Sequence, residues 1–135
     1  MGGWQKVHLW VGAMGVLLFL VSGAYMNSNF PDLYGGNMMV RMMYRANHVY
    51  LLLGSLVNLG LAMVTLAPLL GAWRWVRGGA SLLLVVGNLL LLFAFWWEPA
   101  AQRIDRPLTF WGLILLMAGT GALLLAWFKR DAETG

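Results

Sequence analysis

Cysteine is absent from this 135-residue chain, and charged residues make up only 10% of it. The missing thiols exclude disulfide bonds, thiolate metal ligands and cysteine nucleophiles. A soluble domain carries about 25% charged residues, so this chain has too little polar surface to cover a globular protein in water. The apolar share is correspondingly high, at 61%. These shortages predict a protein that is integral to a membrane.

Four long apolar runs predict four membrane-spanning helices, at about residues 7–26, 46–68, 79–97 and 108–128. About 20 apolar residues cross the hydrocarbon as a helix, and each run comes close to that length or exceeds it. The runs are apolar on every face, whereas the strands of a membrane barrel alternate apolar and polar residues. We therefore expect a single all-α domain, a four-helix transmembrane bundle that runs up-down-up-down with both termini on the same side.

Proline, glycine and asparagine mark the connections between these runs. Residues 27–37 contain Asn-Ser-Asn, Pro-Asp and Gly-Gly, which predicts a loop, and Asn37 is expected to cap the second helix. If that helix continues from Asn37 to Pro68, it exceeds the bilayer thickness and its first turns project from the membrane. Pro99 is expected to stop the third span, and Pro107 is expected near the first turn of the fourth.

The membrane face that holds both termini is called side A, and the face that holds residues 27–45 and 98–106 is called side B. Side A carries five basic residues and side B carries four. This small excess favours cytoplasmic termini. A signal peptide is an open alternative for the first span, because Lys6 precedes an apolar run that ends at Ser-Gly-Ala, residues 22–24. The net charge of +4 requires no nucleic acid, since basic residues that flank spans favour anionic headgroups.

The most informative stretch is residues 41–48, Arg-Met-Met-Tyr-Arg-Ala-Asn-His. At about 100° per residue, its Arg, Tyr and His side chains fall on one face of a helix. Two guanidinium groups one turn apart suit a phosphate or carboxylate, and an imidazole can donate a hydrogen bond or carry a proton. We predict that the stretch forms an anion- or headgroup-binding patch together with a carboxylate on the same side; its members are Arg41, Tyr44, Arg45, His48 and Glu98. The competing interpretation is that Glu98 pairs with Arg45 or His48 and joins two helix ends.

Polar and small residues inside the spans predict helix packing. Asn58 and Asn88 fall near mid-membrane on neighbouring antiparallel spans, so we predict a structural polar pair in which they hydrogen-bond to each other. Glycines such as Gly12, Gly15 and Gly54 allow helices to approach closely, within the bundle or in a homo-oligomer.

Metal and haem sites are weaker alternatives. Met38 and Met42 lie close in sequence to His48, and thioether groups with an imidazole would suit Cu(I). The other histidine, His8, is expected near side A. The two histidines are then separated by about 20 Å across a hydrocarbon about 30 Å thick, too far to flank one haem iron. We predict no cofactor, with copper or haem held by a single histidine as the alternatives.

Two resemblances rest on these residues. Residues 44–48, Tyr-Arg-Ala-Asn-His, at the start of the second span resemble an Arg-Ala-His-x-Asn-x-x-Glu-like run of the MAPEG family. Those membrane enzymes often bind glutathione in a trimer, but the family's Glu would fall near Leu51–Leu53 and is missing. A longer pattern combines residues 23–26, residues 45–53, Asn58 and Glu98. It is similar to uncharacterised small four-span proteins of proteobacterial inner membranes, which implies a topology and a compartment.

The sequence therefore favours a small binding or accessory protein of a bacterial inner membrane. Its expected ligand is an anionic headgroup, a small acid or a partner subunit. Its expected neighbours are membrane lipids, together with further copies of itself in a homo-oligomer or a partner membrane subunit. The alternative from another class is a MAPEG-like enzyme that acts on glutathione-type thiols or lipids. A haem or copper protein is the third hypothesis.

Overall fold

A computed structural model describes residues 2–63, 72–102 and 104–134, and these residues form four helices and no strand. The helices are α1 (Gly3–Leu33), α2 (Met38–Met63), α3 (Ala72–Trp97) and α4 (Pro107–Thr134). Each is long and apolar enough to cross a membrane. The predicted four-helix transmembrane bundle with both termini on one side is confirmed.

The first helix is longer than its predicted span, and the predicted loop at residues 27–37 is mostly helical. α1 continues through Asn-Ser-Asn and Pro31 and ends at Leu33. The Asn29 amide donates a hydrogen bond to the Tyr25 carbonyl at 2.9 Å, and Phe30 is buried. Tertiary packing therefore overrides the local turn signals, and Pro31 lies in the last turn, where it interrupts little of the hydrogen-bond ladder. At 31 residues, α1 is about 46 Å long and extends beyond the hydrocarbon.

The other helix ends follow the predicted signals where the structure describes them. The backbone N–H of Val40 donates to Asn37 Oδ1 at 3.1 Å, so Asn37 caps α2 as expected. The predicted end of the second span near Pro68 lies outside the described residues. α3 ends immediately before Glu98 and Pro99, and Pro107 is the first residue of α4, which confirms both proline predictions.

Consecutive helices pack against each other, and α1 also contacts α3. Within the described ranges, α1 and α4 have no comparable contact. Glycines bring the backbones close together. A Cβ on Gly12 would lie 2.8 Å from the backbone nitrogen of Leu59 on α2, and one on Gly87 would lie 2.9 Å from the carbonyl oxygen of Gly112 on α4. These two positions support the predicted packing role of the small residues.

An aromatic cluster joins the side-B ends of α1, α2 and α3. Tyr44 is at its centre and is 2% exposed. Its ring centroid lies 5.7 Å from that of Phe30 and 5.3 Å from that of Phe95. Val40 completes the buried cluster, and Tyr34 packs against it. The cluster holds the projecting end of α1 against the beginning of α2 and so shapes the surface between them.

Candidate functional site

Arg41 and Arg45 lie one turn apart near the beginning of α2 and line the same groove against the last turns of α1. The groove has a volume of about 460 Å³, and its other lining residues are Met26, Asn27, Phe30 and Pro31. The helical spacing of the two arginines therefore does bring them to one site, as predicted. We call this surface the Arg41–Arg45 groove.

Arg41 is partly buried and held in place by an aromatic ring. Its guanidinium carbon lies 5.8 Å from the centroid of the Phe30 ring, a cation–π contact. Its Nε is buried and has no hydrogen-bond partner among the described residues. A buried charged donor without a partner is costly, and in native structures such groups are usually satisfied by protein, water or a bound ion.

Arg45 is exposed at the mouth of the same groove. In the part of the chain that the structure describes, no carboxylate forms an ion pair with Arg41 or Arg45. The predicted pairing of Arg45 with Glu98 does not occur. The groove therefore combines two permanent positive charges, one aromatic face and the side-chain amide of Asn27, without an acidic residue among its lining.

Tyr44 does not line the groove, although the helical periodicity predicted that it would. It belongs to the aromatic cluster, and its hydroxyl lies 3.4 Å from the hydroxyl of Tyr34. The reason is that the end of α1, expected to be a loop, is a helix that packs over this part of α2. The role of Tyr44 is to anchor that helix end.

His48 faces α1 rather than the groove. Its Nδ1 lies 2.8 Å from Ser22 Oγ, and its ring stacks on Phe19 with centroids 3.9 Å apart. The Ser22 hydroxyl donates its single proton to the Phe19 carbonyl at 2.8 Å, so the serine oxygen must accept from His48. His48 Nδ1 therefore carries a hydrogen, and in the neutral ring only Nε2 could bind a metal.

The methionines of the copper hypothesis are on the surface. Met38 is 66% exposed and Met42 is 62% exposed, whereas His48 is packed between α1 and α2. Across the described residues, no group of three or more His, Asp or Glu side chains is arranged to hold a metal ion. His8 lies at the opposite end of the α1–α2 pair from His48 and bonds to a different partner.

Glu98 is completely buried and caps α4 instead of joining the predicted patch. Its Oε1 accepts hydrogen bonds from the backbone N–H groups of Leu108 at 2.6 Å and Thr109 at 3.0 Å. Its Oε2 accepts a hydrogen bond from the Thr109 hydroxyl and lies 3.8 Å from Arg106 Nε. A carboxylate at a helix N-terminus satisfies free N–H groups and complements the helix dipole. Glu98 thus holds helix ends together, but neither Arg45 nor His48 is its partner.

Asn47 completes this buried network, and sequence reasoning assigned it no role. Its Nδ2 donates to the Ala94 carbonyl at 2.9 Å, which ties α2 to the last turn of α3. Its Oδ1 lies 2.9 Å from the Thr109 hydroxyl and accepts a hydrogen bond from Arg106. The backbone of Arg106 is in the left-handed region, with a φ of 43°, a conformation that residues other than glycine rarely adopt. The network therefore joins α2, α3 and α4 at side B.

The predicted hydrogen bond between Asn58 and Asn88 is not formed. Asn58 Nδ2 donates to the Gly54 carbonyl at 2.8 Å, and its Oδ1 lies 2.7 Å from His8 Nδ1. Asn88 Oδ1 is buried against Gly54 and has no partner among the described residues. The rotation of α2 about its axis turns Asn58 towards α1, so the two amides face different neighbours.

The polar side chains thus fall into separate sites rather than one patch. Glu98, Asn47 and Thr109 join helix ends, and His48 joins α2 to α1. Of the residues that the sequence singled out, and within the described ranges, Arg41 and Arg45 are the ones that combine charge, accessible volume and a buried donor that lacks a described partner. No family model matches the chain, and no curated protein or solved structure matches it.

Proposed function

We propose that this protein is a small membrane binding protein that holds an anionic phosphate or carboxylate group in the Arg41–Arg45 groove. The observation that carries the proposal is that Arg41, whose buried Nε has no partner among the described residues, lines the same groove as Arg45. A bound oxyanion would satisfy this donor. It would also neutralise two neighbouring positive charges that no described carboxylate balances.

The chemistry of the groove supports binding rather than catalysis. Phe30 holds the Arg41 guanidinium in a fixed orientation, which reduces the side-chain entropy lost when an anion binds. Asn27 adds a neutral donor and acceptor at the same site. The described lining contains no hydroxyl, carboxylate or imidazole that could act as a nucleophile or base.

The position of the groove favours a lipid headgroup or a small acid at the membrane boundary. It lies at the end of a helix that is about 46 Å long, beyond the roughly 30 Å of hydrocarbon. The exposed side chains of Met38 and Met42 lie on the turns of α2 beside Arg41 and would provide an apolar surface at the membrane boundary. We further propose a bacterial inner membrane with cytoplasmic termini. The five-to-four division of basic residues and the resemblance to proteobacterial four-span proteins support this location.

Lipid binding to purified protein tests the proposal. Native mass spectrometry in a neutral detergent would compare phosphatidic acid with phosphatidylcholine, for the parent protein and for the variant with Arg41→Ala and Arg45→Ala. Hydrogen bonds to charged partners contribute about 1.5–3 kcal/mol each, so we expect the double variant to bind phosphatidic acid at least tenfold more weakly. Arg74→Ala is the matched control, because that guanidinium also stacks on an aromatic ring, at 5.5 Å from Trp75, but on side A.

Competition distinguishes the two sources of the anion. If inorganic phosphate displaces phosphatidic acid at comparable concentration, the natural ligand is a free anion; if it does not, the groove binds the headgroup of a lipid. Arg41→Lys keeps the charge and removes the planar fork, so we expect an intermediate affinity. Equal phosphatidic acid binding by the parent and the double variant would contradict the proposal.

A further inference from the structure

A cavity opens between α1 and α3, and α2 contributes to its floor. It has a volume of about 280 Å³ and shares no residue with the Arg41–Arg45 groove. Exposed side chains form its mouth, and these are Trp10, Met14 and Leu89. Buried residues form its floor, and these are Gly15, Leu51 and Asn88. We call it the Asn88 cavity.

The Asn88 amide differs from the other buried asparagine amides of the bundle. Asn47 and Asn58 each form hydrogen bonds through both the oxygen and the nitrogen of the side chain. Asn88 is 4% exposed, its Oδ1 has no partner, and its Nδ2 is not bonded to any described residue. Buried polar groups are normally satisfied, and the hydrocarbon of a membrane supplies no water to do so. Hydrogen bonding between helices therefore does not account for this amide.

Two glycines determine which atom of the Asn88 amide is on the cavity side. Oδ1 lies so close to Gly54 of α2 that a Cβ there would overlap it. Nδ2 is on the other side, 3.3 Å from the position that a Cβ of Gly15 would occupy. Gly15 lines the cavity, whereas Gly54 does not. The amide therefore presents its nitrogen, a hydrogen-bond donor, to the cavity.

The depth of Asn88 in the membrane limits which molecules can reach it. Nine residues separate it from Trp97, where α3 ends at side B, and this corresponds to about 14 Å along the helix. That distance is about half of the roughly 30 Å of hydrocarbon. The headgroups and ester groups of phospholipids lie at the boundary of the hydrocarbon and are too far away. An acceptor for Nδ2 must therefore belong to a molecule that dissolves in the membrane interior.

The shape and lining of the cavity suit a ring that carries a carbonyl group. An engineered apolar cavity of about 150 Å³ binds benzene, and the Asn88 cavity has about twice that volume. Trp10 provides an aromatic ring at the mouth, on which a planar ligand can stack. A carbonyl oxygen accepts a hydrogen bond and has no proton of its own. A hydroxyl group would bury an unbonded proton among apolar side chains, because Gly54 covers Oδ1.

We propose that the Asn88 cavity is a second binding site, for a lipid-soluble molecule with a carbonyl-bearing ring of the quinone type. The carbonyl oxygen accepts a hydrogen bond from Asn88 Nδ2, and the ring packs against Leu51 and the apolar walls contributed by α1 and α3. The ligand enters from the hydrocarbon past Trp10 and Met14, which are 71% and 50% exposed. This site does not depend on anion binding at side B.

Native mass spectrometry of the full-length protein in neutral detergent tests the site with decylbenzoquinone, a quinone ring on a ten-carbon chain. Decylbenzene is the matched control ligand, because it has the same chain and a ring without oxygen. We expect decylbenzoquinone to bind about fivefold to tenfold more tightly, since one hydrogen bond in an apolar site distinguishes the two ligands. The chain contains no cysteine, so a thiol adduct of the quinone cannot imitate binding.

Asn88→Leu removes the amide and keeps a side chain of similar size. We expect this variant to bind decylbenzoquinone and decylbenzene equally, because only the hydrogen bond is lost. The Asn88 amide has no partner in the protein, so we also expect the variant to be at least as stable as the parent. Its folding is checked by circular dichroism in the same detergent.

Met14→Trp tests the cavity without changing the amide. A larger side chain at the mouth should weaken the binding of both ligands about tenfold, because it occupies the entrance. Met117→Trp is the matched control, since Met117 is 75% exposed on α4 and does not line the cavity. It should bind both ligands like the parent.

Three results would overturn the proposal. Equal binding of decylbenzoquinone and decylbenzene by the parent would mean that the cavity holds only apolar chains. Tighter binding of decylphenol than of decylbenzoquinone would mean that the ligand is a donor rather than a carbonyl. Unchanged quinone preference in Asn88→Leu would place the ligand elsewhere. None of these results depends on Arg41 or Arg45, so this proposal and the proposed function fail independently.

Discussion

Removal of the buried carboxylate of Glu98 should destabilise the bundle more than any change on its surface. Glu98→Ala deprives the Leu108 and Thr109 N–H groups of an acceptor at 2.6 and 3.0 Å, and it leaves Arg106 without its carboxylate partner at 3.8 Å. Loss of a helix cap costs about 0.5–2 kcal/mol, and breaking a buried ion pair costs about 3–5 kcal/mol. Since Arg106 is partly exposed, we expect the ion pair to contribute only about 1 kcal/mol and the total loss in the free energy of unfolding to be about 2–3 kcal/mol.

Glu98→Gln separates the two contributions. Its remaining oxygen can still accept from both N–H groups, and its new amide can donate to Thr109 Oγ1. The threonine proton can then turn to Asn47 Oδ1, which lies at 2.9 Å. Only the attraction to Arg106 is lost, so we expect a cost of about 1 kcal/mol, clearly less than that of Glu98→Ala.

Equilibrium unfolding in mixed detergent micelles, followed by circular dichroism, measures these differences. Asp32→Ala is the control, because it removes an exposed carboxylate on the same side of the membrane and should change stability by less than about 0.5 kcal/mol. The reasoning is refuted if Glu98→Ala costs no more than Asp32→Ala. It is also refuted if Glu98→Gln is as destabilising as Glu98→Ala, since the cap would then contribute nothing.

Two further predictions use the same unfolding assay. Gly12→Ala should cost about 1–3 kcal/mol in the free energy of unfolding, because the new Cβ would lie 2.8 Å from the backbone nitrogen of Leu59. Gly60→Ala is the control and should be neutral or slightly stabilising, because its Cβ would have open space. Equal effects of the two substitutions would argue against close packing of α1 on α2. Asn58→Leu should cost about 1–3 kcal/mol in the free energy of unfolding, because it leaves His8 Nδ1 without its acceptor. Adding His8→Phe should recover part of this loss. Strictly additive costs in this double-mutant cycle would show that the two residues are not coupled.

Hydropathy and local capping signals predicted most of the fold, because those signals act within a single helix. Asn37 caps α2 and Pro107 begins α4, as their positions in the sequence indicated. The end of α1 was predicted wrongly for a non-local reason. Residues 27–31 have the composition of a turn, but burial of Phe30 against Tyr44 and Phe95 favours a continued helix.

The candidate site was predictable only to the extent that it lies on one helix. Arg41 and Arg45 share a groove because they are one turn apart, which the sequence shows directly. The partners of Glu98, His48 and Asn58 depend on how each helix is rotated about its axis and where it meets its neighbour. Hydropathy does not determine those quantities in helices that are apolar on nearly every face. The network of Glu98 with Thr109 and Asn47 therefore emerged only from the three-dimensional structure.

The most direct test of the proposed function is an experimental density map of the protein in nanodiscs that contain phosphatidic acid. The proposal predicts density for a phosphate group in the Arg41–Arg45 groove, within hydrogen-bonding distance of Arg41 Nε and close to the Arg45 guanidinium. A map in which Arg41 Nε is instead paired with a carboxylate of the protein, or in which the groove contains only water, would contradict it.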